Sequence, residues 1–133
     1  MNKLDKNSVI GISALLVHAA KIDEIYSDHE RDLIKNFIKS YIKGDEVNLV
    51  LKEAEQVENN SNQLLNYTNI IKRNSLDIKK NIIEHLWKVI ISDNTVDQYE
   101  SNLMRRICGL IYFPDKECAE IKLKLLNSKW LIL

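Results

Sequence analysis

Residues 92–100 of the chain read S-D-N-T-V-D-Q-Y-E, and residues 22–30 read I-D-E-I-Y-S-D-H-E. Each stretch contains an Asp followed seven positions later by a Glu: Asp23 and Glu30 in the earlier stretch, Asp93 and Glu100 in the later one. Apolar residues flank both stretches at helical spacing and match under the same offset. The matched pairs are Leu16 and Leu86, Leu33 and Leu103, Ile34 and Met104, and Phe37 and Ile107. The sequence therefore predicts that a unit of helix, acidic turn and helix occurs twice, with pseudo-symmetry.

The composition is typical of a single folded domain built from long helices. The 133 residues fall within the usual size of one domain, and 45% of them are hydrophobic and 29% charged, as in ordinary globular proteins. Only 3 Gly and 1 Pro are present, so few residues are suited to tight turns. No stretch alternates at the two-residue period of a strand. We therefore expect a single-domain all-α bundle over residues 1–133.

Apolar spacings of three and four residues, together with capping residues, predict the helix boundaries. Ser8 is expected to cap a first helix that ends near Ile22. Ser27 is expected to cap a second helix that Gly44 ends. The remaining helices are expected to start at Asp45, Leu64, Ser75, Asp97 and Pro114. On the third helix, the residues expected to face inward are Val47, Val50, Leu51, Ala54 and Val57.

Helix capping explains part of each acidic turn without any ligand. Ser27 and Glu30 have the spacing of a capping box, and so do Asp97 and Glu100. In a capping box the first side chain accepts a hydrogen bond from the third helical amide, and the Glu reaches back to the amide of the cap. These residues are therefore accounted for as helix N-termini.

Capping does not require Asp23 or Asp93, which lie where the helix dipole disfavours a carboxylate. An oxygen-ligand site for a divalent cation, Ca²⁺ or Mg²⁺, would give both a role, because these ions take several carboxylate oxygens. Turns that converge at one end of the bundle would pool Asp23, Asp28, Glu30, Asp93, Asp97 and Glu100. Neither loop has the Gly and the Glu that an EF-hand needs at its sixth and twelfth positions. Capping alone and a site for a cation or a basic partner both remain open.

Two blocks of sequence resemble the TerB-like family, which also includes the N-terminal domain of the co-chaperone DjlA. They are A-L-L-V-H-A-A-K-I-D, with S-D-H-E-R-D-L-I after it, and the later L-W-K-V-I-I-S-D-N-T-V-D-Q-Y-E-S-N-L-M-R-R-I-C-G-L. The resemblance covers about residues 13–125 and leaves an apolar tail at 126–133. It implies a bacterial bundle of about seven helices, a link to tellurite resistance, and an acidic surface for metal at Asp23, Glu30, Asp93 and Glu100. The family's Gly after the first Asp is replaced by Glu24 and Asn94.

Charge and hydropathy exclude several classes of function. Nineteen basic and 19 acidic residues give a formal net charge of zero, whereas a nucleic-acid binder would show a basic excess. The N-terminus lacks the apolar region of a signal peptide, and no apolar run reaches transmembrane length. Cys108 and Cys118 do not form a C-x-x-C pair. We therefore expect a cytoplasmic protein with free thiols that binds no nucleic acid and does not insert into a membrane.

The sequence favours a binding function over catalysis. His18, His29 and His85 show no metal-binding spacing, and no nucleophile motif or phosphate loop is present. We expect an adaptor in a stress response that binds a protein partner, and no cofactor other than a divalent cation. One alternative is a carboxylate enzyme acting in an acidic cleft. Another is a homodimer formed through the tail W-L-I-L, which more often packs back onto a bundle.

Overall fold

The computed structural model of the protein describes residues 4–21, 26–60, 64–91 and 98–132, with the side chains of 64–65, 98–100 and 128–132 also outside the description. The described part of the chain contains seven α-helices and one short 3-10 helix, and no strand. The helices are α1 Lys6–Ala20, α2 Asp28–Lys39, α3 Val47–Asn60, α4 Leu64–Lys72, α5 Leu76–Ile91, α6 Gln98–Leu110 and α7 Asp115–Ile132. The 3-10 helix is Gly44–Glu46. The predicted all-α bundle of seven helices is confirmed.

Helix α1 is the centre of the bundle. It contacts α2, α3, α4 and α5, and every residue from Val9 to Val17 is buried. A helix that is apolar on all sides is stable only when neighbours surround it, and the run V-I-G-I-S-A-L-L-V is of this kind. Gly11 permits the closest approach, because a methyl group there would collide with the side chain of Ile70 on α4.

The apolar pairs that matched across the two halves lie in one core. Leu16, Leu86, Phe37 and Ile107 are completely buried, and Leu33 is partly buried. Helix α3 packs on α1 and α2, and α7 packs on α5 and α6, so the third helix of each proposed half has similar neighbours. The second acidic turn lies outside the described residues, and the pseudo-symmetric duplication itself stays a prediction.

Helix starts were predicted well at Ser27 and Ser75 and wrongly at Ser8. The Oγ of Ser75 accepts a hydrogen bond from the amide of Ile78 at 3.3 Å. Helix α1 begins one turn before the predicted cap, because the carboxylate of Asp5 accepts from the amide of Ser8 at 2.7 Å. Two capping residues three positions apart compete for a helix start, and the earlier one wins here.

The connection from α2 to α3 also differs from the prediction. Helix α2 ends at Lys39, and Gly44 opens the 3-10 helix instead of serving as a left-handed C′ residue. Asp45 lies inside that 3-10 helix and does not cap α3. On α3, Val57 is 38% exposed, whereas Glu58 is only 7% exposed. The prediction that Val57 faces inward was wrong, because a charged residue takes the buried position.

No helix in the described part of the chain is both long and apolar enough to cross a membrane.

Candidate functional site

The residues predicted to hold a cation are largely outside the described part of the structure. Asp23, Asp93 and Asp97 belong to the two undescribed turns, and Glu100 is described only as backbone in α6. Glu30 is described, and it is buried at the N-terminus of α2. The structure therefore does not test whether these five residues come together.

Glu30 forms the capping box that the sequence predicted. Its Oε1 accepts a hydrogen bond from the amide of Ser27 at 2.9 Å, and the Oγ of Ser27 accepts from the amide of Glu30 at 3.2 Å. The hydroxyl of Ser27 also lies 3.1 Å from the same carboxylate oxygen. This arrangement fixes the direction in which the chain leaves the first acidic turn.

A group of charged and polar side chains, which we call the α3 clamp, flanks the first acidic turn. Its members are His18 and Lys21 of the α1 end, Tyr26 and Arg31 of the α2 start, and Glu55, Glu58 and Asn59 of α3.

Glu58 is the buried carboxylate of the clamp. The Nζ of Lys21 donates to Glu58 Oε1 at 2.8 Å and to Asn59 Oδ1 at 3.1 Å. The Nδ1 of His18 lies 3.4 Å from Glu58 Oε2. A buried charge is tolerated when it is paired and hydrogen-bonded, and Lys21 supplies that pairing. Because Lys21 also caps the C-terminus of α1, its charge lies at the negative end of the helix dipole.

Glu55 lies one helical turn before Glu58 and contacts the residues that follow the first acidic turn. The hydroxyl of Tyr26 donates to Glu55 Oε2 at 2.7 Å, and Nε of Arg31 lies 3.0 Å from the same oxygen. Burial raises the pKa of Tyr26 well above its usual value, and the hydrogen bond to the Glu55 carboxylate raises it further. Tyr26 therefore stays a neutral donor at every physiological pH.

The α3 clamp attaches both ends of the first acidic turn to one helix. Lys21 is the last described residue before the turn, and Tyr26 is the first described residue after it. Both are bonded to glutamates one helical turn apart on α3. The rigid helix fixes both ends of the four-residue segment between them. A segment with fixed ends has less conformational entropy to lose on binding a ligand than a segment with free ends.

Glu55 and Glu58 were not predicted as site residues, although the sequence carries a signal for Glu58. Glu58 follows Leu51 by seven positions and Ala54 by four, and both of those residues are buried. The helical period therefore placed Glu58 on the buried face. What the period could not show was its partner, since Lys21 lies 37 positions away in the chain.

The corresponding place in the second half carries different chemistry. Under the offset that relates Leu16 to Leu86, the counterpart of Lys21 is Ile91, which is buried. The described contacts between α5 and α7 include a hydrogen bond from Trp87 Nε1 to the carbonyl oxygen of Cys118 at 3.1 Å. The position of Lys21 is thus taken by an apolar residue in the second half, and the counterpart of Glu58 is Ser128, whose side chain lies outside the described residues.

The histidines and the surface grooves do not build a metal site in the described residues. His85 is largely buried, its Nδ1 donates to the carbonyl oxygen of Asn81 at 2.8 Å, and its ring meets Phe37 edge-on. Burial lowers the pKa of His85, so the ring is neutral at pH 7. A groove of about 510 Å³ between α5 and α7 mixes lysines with glutamates. No group of three or more His, Cys, Asp or Glu side chains within the described ranges is placed to hold a metal ion.

Comparison with known proteins gives one match. The family model described as "Tellurite resistance protein TerB" matches residues 10–123, which is most of the chain. No curated protein and no solved structure matches the sequence significantly. The matched range includes α2 to α6 whole, most of α1 and the first half of α7, and it agrees with the resemblance found in residues 13–125. The chain therefore belongs to the TerB family of tellurite resistance proteins.

Proposed function

We propose that this TerB-family protein acts by binding and not by catalysis, as a cytoplasmic adaptor in a bacterial stress response. The first acidic turn, residues 22–25, is the binding element, and its ligand is a divalent cation or a basic segment of a partner protein. The observation that carries the proposal is the α3 clamp, which holds both ends of this turn on one helix.

The charges around the turn support an acidic binding element. Lys21 and Arg31 are the cations nearest its two ends, and both are already paired with glutamates of α3. Their charges are therefore largely neutralised locally, and the sequence of the turn itself contributes Asp23 and Glu24 without a basic residue. Carboxylates at a fixed turn are suited to Ca²⁺ or Mg²⁺, or to lysine and arginine side chains.

In this proposal the second turn completes the ligand set. Asp93, Asp97 and Glu100 supply further carboxylates if the two turns meet at one end of the bundle, as the matched spacing predicts. A cation with six to eight oxygen ligands needs more donors than one short turn provides, so the two turns together are a better site than either alone. The same residues offer a basic partner a wider acidic surface.

Calorimetric titration of the purified chain with Ca²⁺, Mg²⁺, Mn²⁺ and Zn²⁺ tests the cation. We expect binding of Ca²⁺ or Mg²⁺ that Asp23→Asn and Asp93→Asn each weaken by at least about tenfold, because each removes a charged ligand. Asp45→Asn is the matched control, since Asp45 is exposed in the 3-10 helix. Absence of heat with all four ions, or equal effects of all three variants, would remove the cation from the proposal.

A basic partner is tested separately with a labelled lysine-rich peptide and fluorescence anisotropy. We expect binding that weakens as salt is raised from 50 to 300 mM (about a twofold change in screening length) and that Asp23→Asn reduces. A peptide affinity that changes neither with salt concentration nor with Asp23→Asn would contradict an acidic docking surface. The carboxylate enzyme and the homodimer through residues 126–133 stay predictions, because the acids and the tail side chains lie largely outside the described residues.

A further inference from the structure

The two cysteines of the chain meet where α6 turns into α7. Both are free and buried, and the Cys108 thiol is in hydrogen-bonding contact with the sulfur of Cys118. The turn between them is tight, because the amide of Phe113 donates to the carbonyl oxygen of Cys108 at 2.9 Å and Tyr112 adopts a left-handed φ of 59°. Residues ten positions apart are thereby placed side by side.

The two thiols differ in their access to solvent. Cys108 is completely buried, whereas Cys118 is 6% exposed and lines an open groove of about 520 Å³. Arg105 and Lys122 also line this groove, and the Nζ of Lys122 lies 5.3 Å from the ring centre of Trp87. A small polar oxidant in the groove can therefore reach Cys118 and not Cys108.

The hydrogen bond between the thiols also makes them chemically different. It lowers the pKa of Cys118, which accepts it, and raises the pKa of Cys108, which donates it and is further raised by burial. Lys122 lowers the pKa of Cys118 as well, while Asp115 and burial act against this. The thiolate is the nucleophilic form of cysteine, so Cys118 is the more reactive of the two.

We propose that Cys108 and Cys118 are a peroxide-sensing dithiol, in which Cys118 is oxidised from the groove and Cys108 then closes an intramolecular disulfide. The placement of one thiol at a solvent-open groove and the other directly behind it carries this inference. It does not depend on a ligand at the acidic turns.

The reaction balances with hydrogen peroxide as the oxidant. The Cys118 thiolate attacks one peroxide oxygen, the O–O bond breaks, and the departing hydroxide takes a proton to leave as water. Cys118 is now a sulfenic acid. The sulfur of Cys108 attacks the Cys118 sulfur, the S–O bond breaks, and the departing hydroxide leaves as a second water with the proton of Cys108. Two thiols are oxidised to one disulfide, and one peroxide is reduced to two waters.

The wild-type chain tests the proposal without any substitution. Native reduced protein is treated with a limiting amount of iodoacetamide, and the two cysteine peptides are quantified by mass spectrometry. We expect Cys118 to be alkylated at least about tenfold faster than Cys108, because the thiol that is more accessible and more readily ionised reacts first. In guanidinium chloride the difference should disappear. Equal labelling in the native protein, or faster labelling of Cys108, would overturn the proposed order.

The disulfide is tested by exposing the reduced chain to stoichiometric hydrogen peroxide. We expect the intact mass to fall by two hydrogens in a monomeric product, with both thiols lost together and restored by dithiothreitol. Cys108→Ser should instead accumulate a sulfenic acid at Cys118 that dimedone traps, while Cys118→Ser should react at least about tenfold more slowly than wild type. Circular dichroism checks that both variants are folded, and Cys108→Ala replaces the serine variant if it is not. Thiols that stay reduced, or a disulfide between two chains, would overturn the proposal.

Discussion

The two halves of the bundle are alike in their core and unlike at the ends of their first helices. Leu16 on α1 and Leu86 on α5, which match in the sequence, are both fully buried. Five residues later the halves diverge, since Lys21 is bonded to a buried glutamate while its counterpart Ile91 is simply buried. The apolar positions that match in sequence are therefore alike in burial, whereas the ion pair that Lys21 forms with Glu58 has no counterpart at Ile91.

The largest expected effect tests the likeness of the two cores. Leu16→Ala and Leu86→Ala each remove a completely buried side chain. Each should lower the free energy of unfolding by about 2–5 kcal/mol, through lost burial and the cavity that remains. Urea denaturation followed by circular dichroism measures both. If only one of the two variants lost less than about 1 kcal/mol, the two cores would not be alike, because the side chain at that position would be less tightly packed than its counterpart.

The second-largest expected effect tests the difference between the two halves at Lys21 and Ile91. Lys21→Ile copies the residue of the second half and leaves the buried Glu58 with His18 as its partner. We expect a loss of about 1–3 kcal/mol, because an incompletely paired buried carboxylate keeps its desolvation penalty, although the partial exposure of Lys21 limits the effect.

Adding Glu58→Leu to Lys21→Ile sharpens this test. The double variant replaces the ion pair with apolar groups and should recover most of the loss. The matched control is Glu53→Gln, since Glu53 is exposed on the same helix. A double variant less stable than the single one would mean that Glu58 is held by interactions other than the one with Lys21.

This contrast also explains what could be predicted from the sequence. The capping box at Ser27 and the buried pairs of the two halves were predicted correctly, because capping and amphipathic spacing are local patterns. The partners of Glu58 were not, since they come from a different helix. The start of α1 was missed for a local reason, as Asp5 and Ser8 could both serve as caps.

The candidate site itself was predicted less completely than the fold. Spacing predicted Asp23 and Asp93, which lie outside the described residues and stay a prediction, and spacing does not show which helix holds a turn in place. The α3 clamp depends on contacts between residues more than 20 positions apart, such as Tyr26 with Glu55. The contact between Cys108 and Cys118 needed the left-handed Tyr112, a conformation that a bulky residue adopts rarely and that no local pattern indicated.

A smaller effect is expected from the tyrosine of the clamp. Tyr26→Phe removes the hydroxyl that donates to Glu55 and should cost about 0.5–1.5 kcal/mol in urea denaturation. The raised pKa of Tyr26 means that the folded state holds this proton more tightly than the unfolded state. Stability contributed by Tyr26 is therefore complete below about pH 10 and lost as the pH rises above it.

The alkaline dependence gives Tyr26→Phe a readout beyond overall stability. Wild-type protein should lose more unfolding free energy than the variant between about pH 10 and 11, because only the wild type has this phenol to ionise. Tyr112→Phe is the control, since Tyr112 is 69% exposed. If the unfolding free energies of wild type and Tyr26→Phe changed identically with pH in this range, the hydrogen bond to Glu55 would not hold the Tyr26 proton in solution.

The smallest effect concerns the contact between the halves. His85 on α5 packs against Phe37 on α2, and burial lowers its pKa. The unfolded chain therefore binds the proton first as the pH falls. The stability contributed by neutral His85 is complete above about pH 6.5, the ordinary pKa of histidine. It decreases as the pH falls from there to the lower pKa of the folded state, below which both states bind the proton. His85→Gln should flatten this part of the pH curve of unfolding free energy, whereas His29→Gln on the exposed start of α2 should leave it unchanged. If His85→Gln kept the wild-type slope between about pH 5 and 6.5, protonation at this contact would not govern how the halves hold together.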